Sequence, residues 1–540
     1  MFAISDTDSL FASKNFLIID DFQGMRSMMR EMLKAFGAKH IDTATNGAEA
    51  IANLEKNKYD VVLCDHNLGI GKNGQQILEE AKHRDLIGLA TAWLIVTAEK
   101  TSDLVIGAAE FMPDDYIIKP VNEATMRGRL EKVIARKDTL LDIEKALRAK
   151  NYARTVSLCD ELLVTNKTNA TELLRIKTNT LMTMGKYDQA KQVFEQILAK
   201  RDISWAKTGL GKVAFYSGDM ERARQLFREV IGDNPAYLEA HDWLAKSFEM
   251  TEELDEAQRV LARCTELSPN SVIRQKTLGE IAHKRGDLDT AESAFRKTIK
   301  LGEFSVHKTP VAYLGLAKIC SDKENSIEAL QILKNVHKEF DGPETKLHAK
   351  VLEGMVYRKS GDFVSAGKLS KEVAELVQQD KDILPPGVMV EAAQLFLETG
   401  NKEAAENLAQ VIVKNNHENS KLLAQVNELY AQAGLQDEGK KIVETSRQEV
   451  VEANNRGVTL AKEGKLDEAI QVLRDARTML PNNKRIMINL ANVAVLAMRQ
   501  GGRSDILVQT ARECLDRVSK LDPQEKWCSQ FQTALDAIPA

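Results

Sequence analysis

Hydrophobic residues follow two patterns in the first 130 positions. Short, continuous apolar runs, which predict buried strands, alternate with stretches whose apolar residues recur at helical spacing. Apolar strands separated by amphipathic helices are typical of a parallel sheet covered on both faces, so the sequence predicts an α/β doubly wound parallel sheet. The runs that end in a polar residue are 16–19 before Asp20, 61–64 before Asp65, 93–96 before Thr97 and 116–118 before Lys119.

These polar residues form the candidate chemical site. Because ligands bind outside the carboxyl ends of parallel strands, we expect Asp20, Asp21, Asp65, Thr97 and Lys119 to lie at one edge of the sheet. Clustered carboxylates need a cation, and a hard divalent ion such as Mg²⁺ takes oxygen ligands. The lysine supplies a fixed positive charge, and the threonine hydroxyl can bond a phosphoryl oxygen. Together they predict a carboxylate that attacks a phosphoryl donor to give an aspartyl phosphate.

The order and spacing of these elements resemble the receiver domain of two-component response regulators, most closely the chemotaxis (CheY-like) receiver. The resemblance covers about residues 13–135. It implies a flavodoxin-like fold with five parallel strands. The matching residues are Asp20-Asp21-Phe22, Met25-Arg26, Asp65, Thr97-Ala98-Glu99 and Tyr116-Ile117-Ile118-Lys119-Pro120.

The resemblance also implies a role for each site residue. Asp65 would be the phospho-acceptor, phosphorylated by a sensor histidine kinase or a phosphotransfer protein. Thr97 and Tyr116 would be the switch pair, and Lys119 the phosphate-binding lysine before a cis peptide to Pro120. The expected Mg²⁺ ligands are the side chains of Asp20, Asp21 and Asp65 and the backbone carbonyl of Asn67.

Simpler interpretations exist for single residues. In isolation, an Asp-Asp pair after a strand is more often a turn or a helix N-cap, and only the other elements favour a phosphorylation pocket. Tyr116 could be a half-buried strand aromatic, and His66 a solvent-facing loop residue. The loop after the acceptor departs from the family, because residues 66–74 read HNLGIGKNG without the usual proline.

The rest of the chain repeats. Ala190, Ala223, Ala257 and Ala291 are 33, 34 and 34 residues apart, and each has an aromatic or aliphatic residue three positions before it and four positions after it. A glycine begins the pattern in every copy except that of Ala257. A period near 34 predicts stacked helical hairpins, and the pattern resembles tetratricopeptide repeats. Glycine and alanine would let two helices approach closely, so these positions are expected in the core.

Later copies are less regular, with spacings of 38, 37, 39, 34 and 30 residues. The expected division is a receiver at 1–135, a connecting helix at 136–150 as the receiver's last helix continues, regular repeats at 151–305 and divergent repeats at 306–540. Repeat arrays curve into superhelices whose concave face binds peptides or proteins. Three asparagine pairs are candidates for such a role, although loop and cap roles suit at least two of them: Asn415-Asn416, Asn454-Asn455 and Asn482-Asn483.

Charge and composition exclude several classes of function. Residues 1–130 hold 19 of the 79 acidic and 14 of the 74 basic residues, which leaves 60 of each for the repeats. A neutral array lacks the basic excess that nucleic-acid surfaces need. Six widely spaced cysteines favour reduced core residues, and the sequence contains no membrane-spanning stretch, so a cytoplasmic protein is expected.

Two functions remain open at this stage. The first is a phospho-switch, in which a kinase modifies Asp65 and the repeats gain or release a protein partner. The second is a phosphorylation-independent scaffold or adaptor that sequesters a kinase or a companion regulator. We expect no catalytic activity beyond the receiver's own phosphorylation and dephosphorylation, since no further catalytic constellation follows residue 135.

Overall fold

The computed structural model describes residues 7–98, 112–165, 169–379, 384–522 and 525–537, so Glu99 of the receiver motif lies outside the described residues. Contacts divide the chain into two compact units, Met1–Gly315 and Leu316–Ala540. The first unit therefore contains the sheet together with the regular repeats.

The predicted five-stranded parallel sheet is confirmed, with strand order β2-β1-β3-β4-β5 and every pair parallel. Its strands are β1 (Asn15–Ile19), β2 (His40–Ala44), β3 (Val61–Asp65), β4 (Ala92–Thr97) and β5 (Asp115–Ile118). The helices described in this part are α1 (Thr7–Ala12), α2 (Gln23–Ala35), α3 (Gly47–Lys56), α4 (Gly74–His83) and α5 (Glu123–Asp138).

The sheet separates two hydrophobic cores because successive side chains of a strand point to opposite faces. In β1, Phe16 and Ile18 join the core that contains Met29 of α2, while Leu17 and Ile19 join the core on the other face. The methionines of α2 pack in the first of these cores: Met29 is fully buried, and Met25, Met28 and Met32 are partly buried against the same cluster.

The helix expected to run unbroken through residues 131–150 is interrupted. Helix α5 ends at Asp138, and α6 spans Leu141–Arg148. The Thr139 hydroxyl donates to the Arg136 carbonyl at 2.6 Å, and Leu140 is fully buried in a cluster with Ile143. The bend buries Leu140 against the first repeat helices, so the expectation of an unbroken helix is wrong here. The residue boundaries of the domains stay a prediction.

Paired helices form the rest of the chain, as the repeat pattern predicts. They are α7 (Tyr152–Thr165), α8 (Ala170–Thr183), α9 (Tyr187–Leu198), α10 (Ser204–Tyr216), α11 (Met220–Asp233), α12 (Leu238–Met250), α13 (Leu254–Leu267), α14 (Val272–Arg285), α15 (Leu288–Gly302), α16 (Pro310–Asp322), α17 (Ser326–Glu339), α18 (Pro343–Lys359), α19 (Phe363–Gln379), α20 (Pro386–Glu398), α21 (Lys402–Asn415), α22 (Ser420–Gln432), α23 (Gln436–Lys462), α24 (Leu466–Met479), α25 (Lys484–Gly501), α26 (Asp505–Leu521) and α27 (Lys526–Asp536).

Small residues allow close packing within each hairpin. A Cβ atom on Gly211 would lie 2.5 Å from the Phe227 ring, so only glycine lets α10 approach α11 this closely. The repeated alanines, such as Ala223 and Ala257, are fully buried. Their predicted core role is confirmed.

One long helix explains the shortest repeat spacing. Helix α23 runs for 27 residues, from Gln436 to Lys462, without an intervening turn. Gly439 lies near its start and packs on Tyr430, whereas Gly457 lies near its end and packs on Leu473. Two successive hairpins thus share a single helix, and the spacing of 30 residues from Gly439 to Ala469 reflects the missing loop.

Candidate functional site

The acidic residues meet at the carboxyl ends of adjacent strands. Asp65 is the last residue of β3, and Asp20 and Asp21 directly follow β1, the neighbouring strand. Carboxylate oxygens of all three lie within 4.8 Å of one another. Asp20 is completely buried and Asp65 is 8% exposed, while Asp21 faces solvent. The chain therefore concentrates negative charge at one partly open point of the sheet edge.

Lys119 lies between two of these carboxylates. Its Nζ donates to Asp65 Oδ2 at 2.8 Å and to Asp20 Oδ2 at 3.0 Å. Burial lowers the pKa of Lys119, but its bonds to Asp65 and Asp20 outweigh this effect, and the net shift is upward. The peptide bond from Lys119 to Pro120 is cis, as the resemblance implies.

The immediate surroundings of Asp65 are set by burial and by its own loop. Burial raises the pKa of Asp65, and the negative charge of Asp20 adds to this, against the opposing hydrogen bond and charge of Lys119. The backbone amide of Asn67 also donates to the Asp65 carboxylate. On the other side, Asp20 accepts from the Phe22 amide at 2.9 Å, and Arg26 Nη1 donates to the Asp20 carbonyl at 2.6 Å.

The loop after Asp65 has glycine at three points where a side chain would be unfavourable. Gly69 and Gly71 have positive φ angles of 73° and 112°, which side chains rarely adopt. Gly74 begins α4, and a Cβ atom there would lie 2.2 Å from the carbonyl oxygen of Asp65. The sequence does not predict this close approach of Gly74 to Asp65. The only available signal was that a glycine follows the acceptor by nine residues, which by itself does not reveal a close approach.

Thr97 and Tyr116 lie on adjacent strands. Tyr116 is opposite Ile95 in the register of β4 and β5, so its side chain and that of Thr97 are on the same face of the sheet. Thr97 is 4% exposed. The Tyr116 hydroxyl is buried and has no hydrogen-bond partner in the part of the chain that the structure describes, and burial raises the pKa of Tyr116 to about 12. Their role as a switch pair stays a prediction.

The donor set fits a hard divalent cation. It combines a buried carboxylate, a partly buried carboxylate and an exposed one, all of them oxygen ligands within the spacing given above. The exposed position of Asp21 leaves room for water ligands, which Mg²⁺ retains. Asp20, Asp21 and Asp65 could thus hold a metal ion, while Mg²⁺ and the Asn67 carbonyl remain expectations.

The two residues that flank Asp65 in sequence have no evident chemical role. Cys64 is fully buried, and burial raises the pKa of its thiol. His66 is half-buried rather than solvent-facing, and its Nδ1 has no hydrogen-bond partner among the described residues. The six cysteines are all free.

The second unit contains a groove of about 890 Å³ formed by helices of the array. Apolar and amide side chains line it, including Val411, Asn407, Gln410 and Asn415, and Met479 at its edge is 79% exposed. In contrast, Asn416 and Asn483 cap helices α21 and α25. Two of the three asparagine pairs thus contain a cap, in agreement with the simpler interpretation, whereas Asn454 and Asn455 lie within helix α23.

Among the residues that the structure describes, every helix is too short or too polar to cross a bilayer.

Comparisons with known proteins identify both parts of the chain. Residues 16–131 match the response regulator receiver domain, and residues 214–280 match the tetratricopeptide repeat. The chemotaxis protein CheY-3 of Vibrio cholerae is 32% identical over 126 residues, which are 22% of this chain and 91% of that protein. The chemotaxis protein CheY of Pseudomonas aeruginosa is 28% identical over 120 residues, 22% of this chain and 95% of that protein.

Solved structures resemble smaller parts of the fold. A crystal structure of MamA shares 22% identity, with a TM-score of 0.27, over 29% of this chain and 90% of that one. From the sheet, its acidic edge and the match over nearly the whole length of the chemotaxis proteins, we conclude that the chain belongs to the response regulator receiver family and carries tetratricopeptide repeats.

Proposed function

We propose that this protein is a two-component response regulator that is phosphorylated on Asp65 and signals through protein–protein contacts of its repeat array. The observation that carries the proposal is the bond pattern of Lys119, which holds Asp20 and Asp65 together beside the exposed Asp21. A cluster of aspartates that only bound a metal ion would not need a lysine between its carboxylates. Together, an acceptor carboxylate, a fixed cation and a metal-binding acidic set are the parts that phosphoryl transfer requires.

The proposed reaction starts from a phosphohistidine of a kinase or a phosphotransfer protein. An Asp65 carboxylate oxygen attacks the phosphorus atom, the phosphorus–nitrogen bond breaks, and its electron pair stays on the imidazole nitrogen, which takes up a proton. The product is an acyl phosphate on Asp65. In the proposed reaction Lys119 compensates the negative charge, and the Thr97 hydroxyl bonds a phosphoryl oxygen. When bound, Mg²⁺ would supply further charge neutralisation at the phosphoryl oxygens.

The output belongs to the helical array rather than to a DNA-binding element. The repeats hold equal numbers of acidic and basic residues, which does not favour binding to phosphate backbones. The groove beside Met479 combines apolar walls with amide groups that can bond a peptide backbone. A protein or peptide segment is therefore the proposed partner class.

Phosphorylation is tested on the full-length protein with a small-molecule phosphodonor and Mg²⁺, followed by intact-mass and peptide mass spectrometry. We expect a phosphoryl group on Asp65, loss of labelling in Asp65→Asn and retention in Asp85→Asn. Asp85 is an exposed receiver carboxylate with a φ of 53°, a conformation that asparagine also tolerates, so this variant is a matched control. A folded wild-type protein that stays unmodified would refute the proposal.

Partner capture distinguishes the switch from the adaptor. Full-length wild type and Asp65→Ala are compared as baits, and a switch predicts that the partners change while an adaptor predicts the same partners. A third bait, Met479→Glu, places a charge at the exposed edge of the groove without touching the core. Loss of the same partners in this variant would assign them to the groove, and their retention would assign them elsewhere on the array.

A further inference from the structure

Helix α4 of the receiver contacts the repeat array through a loop far away in sequence. Ser305 Oγ donates to Glu79 Oε2 at 3.3 Å, and His307 Nε2 lies 3.1 Å from Glu79 Oε1. The rings of His83 and His307 meet edge to face, with centroids 5.3 Å apart. We call this four-residue contact, of Glu79, His83, Ser305 and His307, the α4 latch.

The loop that reaches the receiver is longer than its equivalents. The connection between α11 and α12 covers residues 234–237, and that between α13 and α14 covers residues 268–271, four residues each. The connection between α15 and α16 covers residues 303–309, which are seven. The three extra residues account for most of the difference between the 38-residue spacing after Ala291 and the regular spacing of 34. The loop includes both residues of the array that form the latch.

The long loop is also braced internally. The Ser305 amide donates to the Gly302 carbonyl at 3.1 Å, the Lys308 amide donates to the Ser305 carbonyl at 3.2 Å, and the His307 amide donates to Ser305 Oγ at 3.1 Å. Ser305 is 8% exposed. A loop with these bonds holds its two contact residues in place, so the latch is a built contact rather than an approach of two free surfaces.

The receiver end of the latch is connected directly to the phosphorylation site. Helix α4 starts at Gly74, which packs on the Asp65 carbonyl, and the Gly74 amide donates to the His66 carbonyl at 2.9 Å. Glu79 lies five residues further along, about 7.5 Å at 1.5 Å per residue. A displacement of the backbone at Asp65 would therefore shift the whole short helix.

Adjacent carboxylates of α4 contact different parts of the chain. Glu80 bonds to Lys72 and to Arg84 within the receiver, the latter at 3.0 Å. Glu79 is turned about 100° around the helix from Glu80, and among the described residues it contacts Ser305 and His307 of the loop. Helix α4 thus uses one face for contacts within the receiver and another face for contacts with the array.

The receiver contacts the array a second time, at its beginning. Asn169 Nδ2 donates to Thr139 Oγ1 at 3.0 Å, and Glu172 lies 3.6 Å from Arg136. Four helical hairpins, α8 to α15, separate this contact from the latch. A superhelix fixed at both points cannot change its curvature freely, because small rotations between repeats add along the stack.

We propose that the α4 latch holds the repeat array in its resting arrangement and that a phosphoryl group on Asp65 releases it. This inference rests on the proposed function, since it concerns how the same site controls the array. The resting assignment follows from Lys119, which here bonds directly to the Asp65 carboxylate, the position that a phosphoryl group would occupy. Because coupling between sites is reciprocal, breaking the latch must also favour the phosphorylated state.

The test measures equilibrium binding of beryllofluoride with Mg²⁺, a phosphoryl mimic, to full-length proteins. We expect His307→Ala and Glu79→Gln to bind it at least about five-fold more tightly than wild type, the lower end of typical coupling. The control is His337→Ala, which removes a similar contact within the second unit, where His337 Nε2 lies 3.0 Å from Glu353 Oε1. Hydrogen exchange of residues 303–309 in wild type should rise when beryllofluoride binds.

The outcomes separate the two proposals. Equal or weaker binding in both latch variants, with a wild type that binds beryllofluoride, overturns the latch alone. A folded wild type that does not bind beryllofluoride overturns the proposed function and the latch with it. Thermal melting of each variant is recorded, and Glu79→Gln keeps an acceptor oxygen, so that a folding defect in His307→Ala does not decide the result.

Discussion

Lys119 neutralises buried carboxylates that would otherwise repel each other. Asp20 is fully buried, and its oxygen lies 3.0 Å from the lysine nitrogen, while Asp65 is 2.8 Å from the same atom. Removing one partner of such a group leaves uncompensated charge at low dielectric. At this site, the single positive charge of Lys119 thus compensates the negative charges of both Asp20 and Asp65.

Replacing Lys119 with Met keeps most of the apolar stem and removes the charge. Without metal, we expect the free energy of unfolding of the first unit to fall by about 3 kcal/mol, since breaking a buried ion pair typically costs 3–5 kcal/mol. Added Mg²⁺ should recover part of this loss. Urea denaturation monitored by tryptophan fluorescence measures both, with Lys119→Arg as the charge-preserving control. A metal-free Lys119→Met protein as stable as wild type would contradict the prediction.

Gly74 supports a second prediction about a single residue, because the space beside the Asp65 carbonyl leaves no room for a side chain there. A methyl group at Gly74 would overlap the Asp65 carbonyl, so we expect Gly74→Ala to destabilise the receiver by about 1–3 kcal/mol, the usual cost of overpacking. The matched control is Gly128→Ala in the exposed middle of α5, where a Cβ atom meets nothing within 4 Å. That change should stabilise the helix by up to about 1 kcal/mol. Equal effects of the two substitutions in urea denaturation would refute the steric explanation.

Helix α23 departs from the regular repeat, and a buried contact joins the turns on either side of it. Across the long helix α23, the turn after α21 meets the turn before α25. Asn483 Nδ2 donates to the Lys414 carbonyl at 2.7 Å and lies 3.0 Å from His417 Nδ1. Asn483 is fully buried, and His417 is 7% exposed. Since an amide nitrogen can only donate, this contact requires His417 Nδ1 to be unprotonated and thus a neutral ring.

This buried histidine predicts a pH-dependent stability of the second unit. Burial lowers the pKa of His417, with Arg447 and Arg485 acting in the same direction and Glu418 opposing them. The unfolded chain therefore binds the proton more tightly. The stability is fully present above the ordinary pKa of about 6.5 and falls as the pH drops toward the folded-state value, by at most about 1.4 kcal/mol per pH unit.

Hydrogen exchange of the helices that flank His417 measures this dependence between pH 7 and pH 5, after correction for the intrinsic exchange rate. In His417→Gln, whose side-chain oxygen can still accept from Asn483, the dependence should disappear. A variant that loses stability as steeply as wild type would show that another group titrates.

In the molecule as a whole, the boundary between the two compact units does not coincide with the boundary between the receiver and the repeats. The receiver and the regular repeats share the unit Met1–Gly315, and the divergent repeats form the unit Leu316–Ala540. The acidic site lies entirely in the first unit. A ligand that binds only the folded form stabilises the part of the chain that contains its site.

Differential scanning calorimetry should therefore show a selective effect of Mg²⁺. At a hundred-fold excess over its Kd, a ligand adds about 2.7 kcal/mol to the folded form, so we expect Mg²⁺ to raise the transition of the first unit and leave that of the second unchanged. Asp21→Asn should lose the shift, which assigns the transitions. An equal shift of both transitions in wild type would contradict this prediction.

The amino-acid sequence alone specifies the secondary-structure elements and the polar residues that end the strands. Apolar runs at strand length, followed by Asp20, Asp65, Thr97 and Lys119, specify a parallel sheet and its carboxyl edge, because side-chain periodicity and burial are local properties. The 34-residue period specifies hairpins for the same reason. These features depend on residues that are close in sequence, and the structure contains them as predicted.

How distant segments meet follows from the packing of the folded chain. The bend at Thr139, the helix shared by two hairpins at α23, the close approach of Gly74 to Asp65 and the contact of Glu79 with Ser305 and His307 follow from packing between parts of the chain that carry no local signal of each other. Glu79 and His307 are separated by more than 200 residues. Their contact depends on the accumulated curvature of four hairpins, a sum of small rotations that no single repeat encodes.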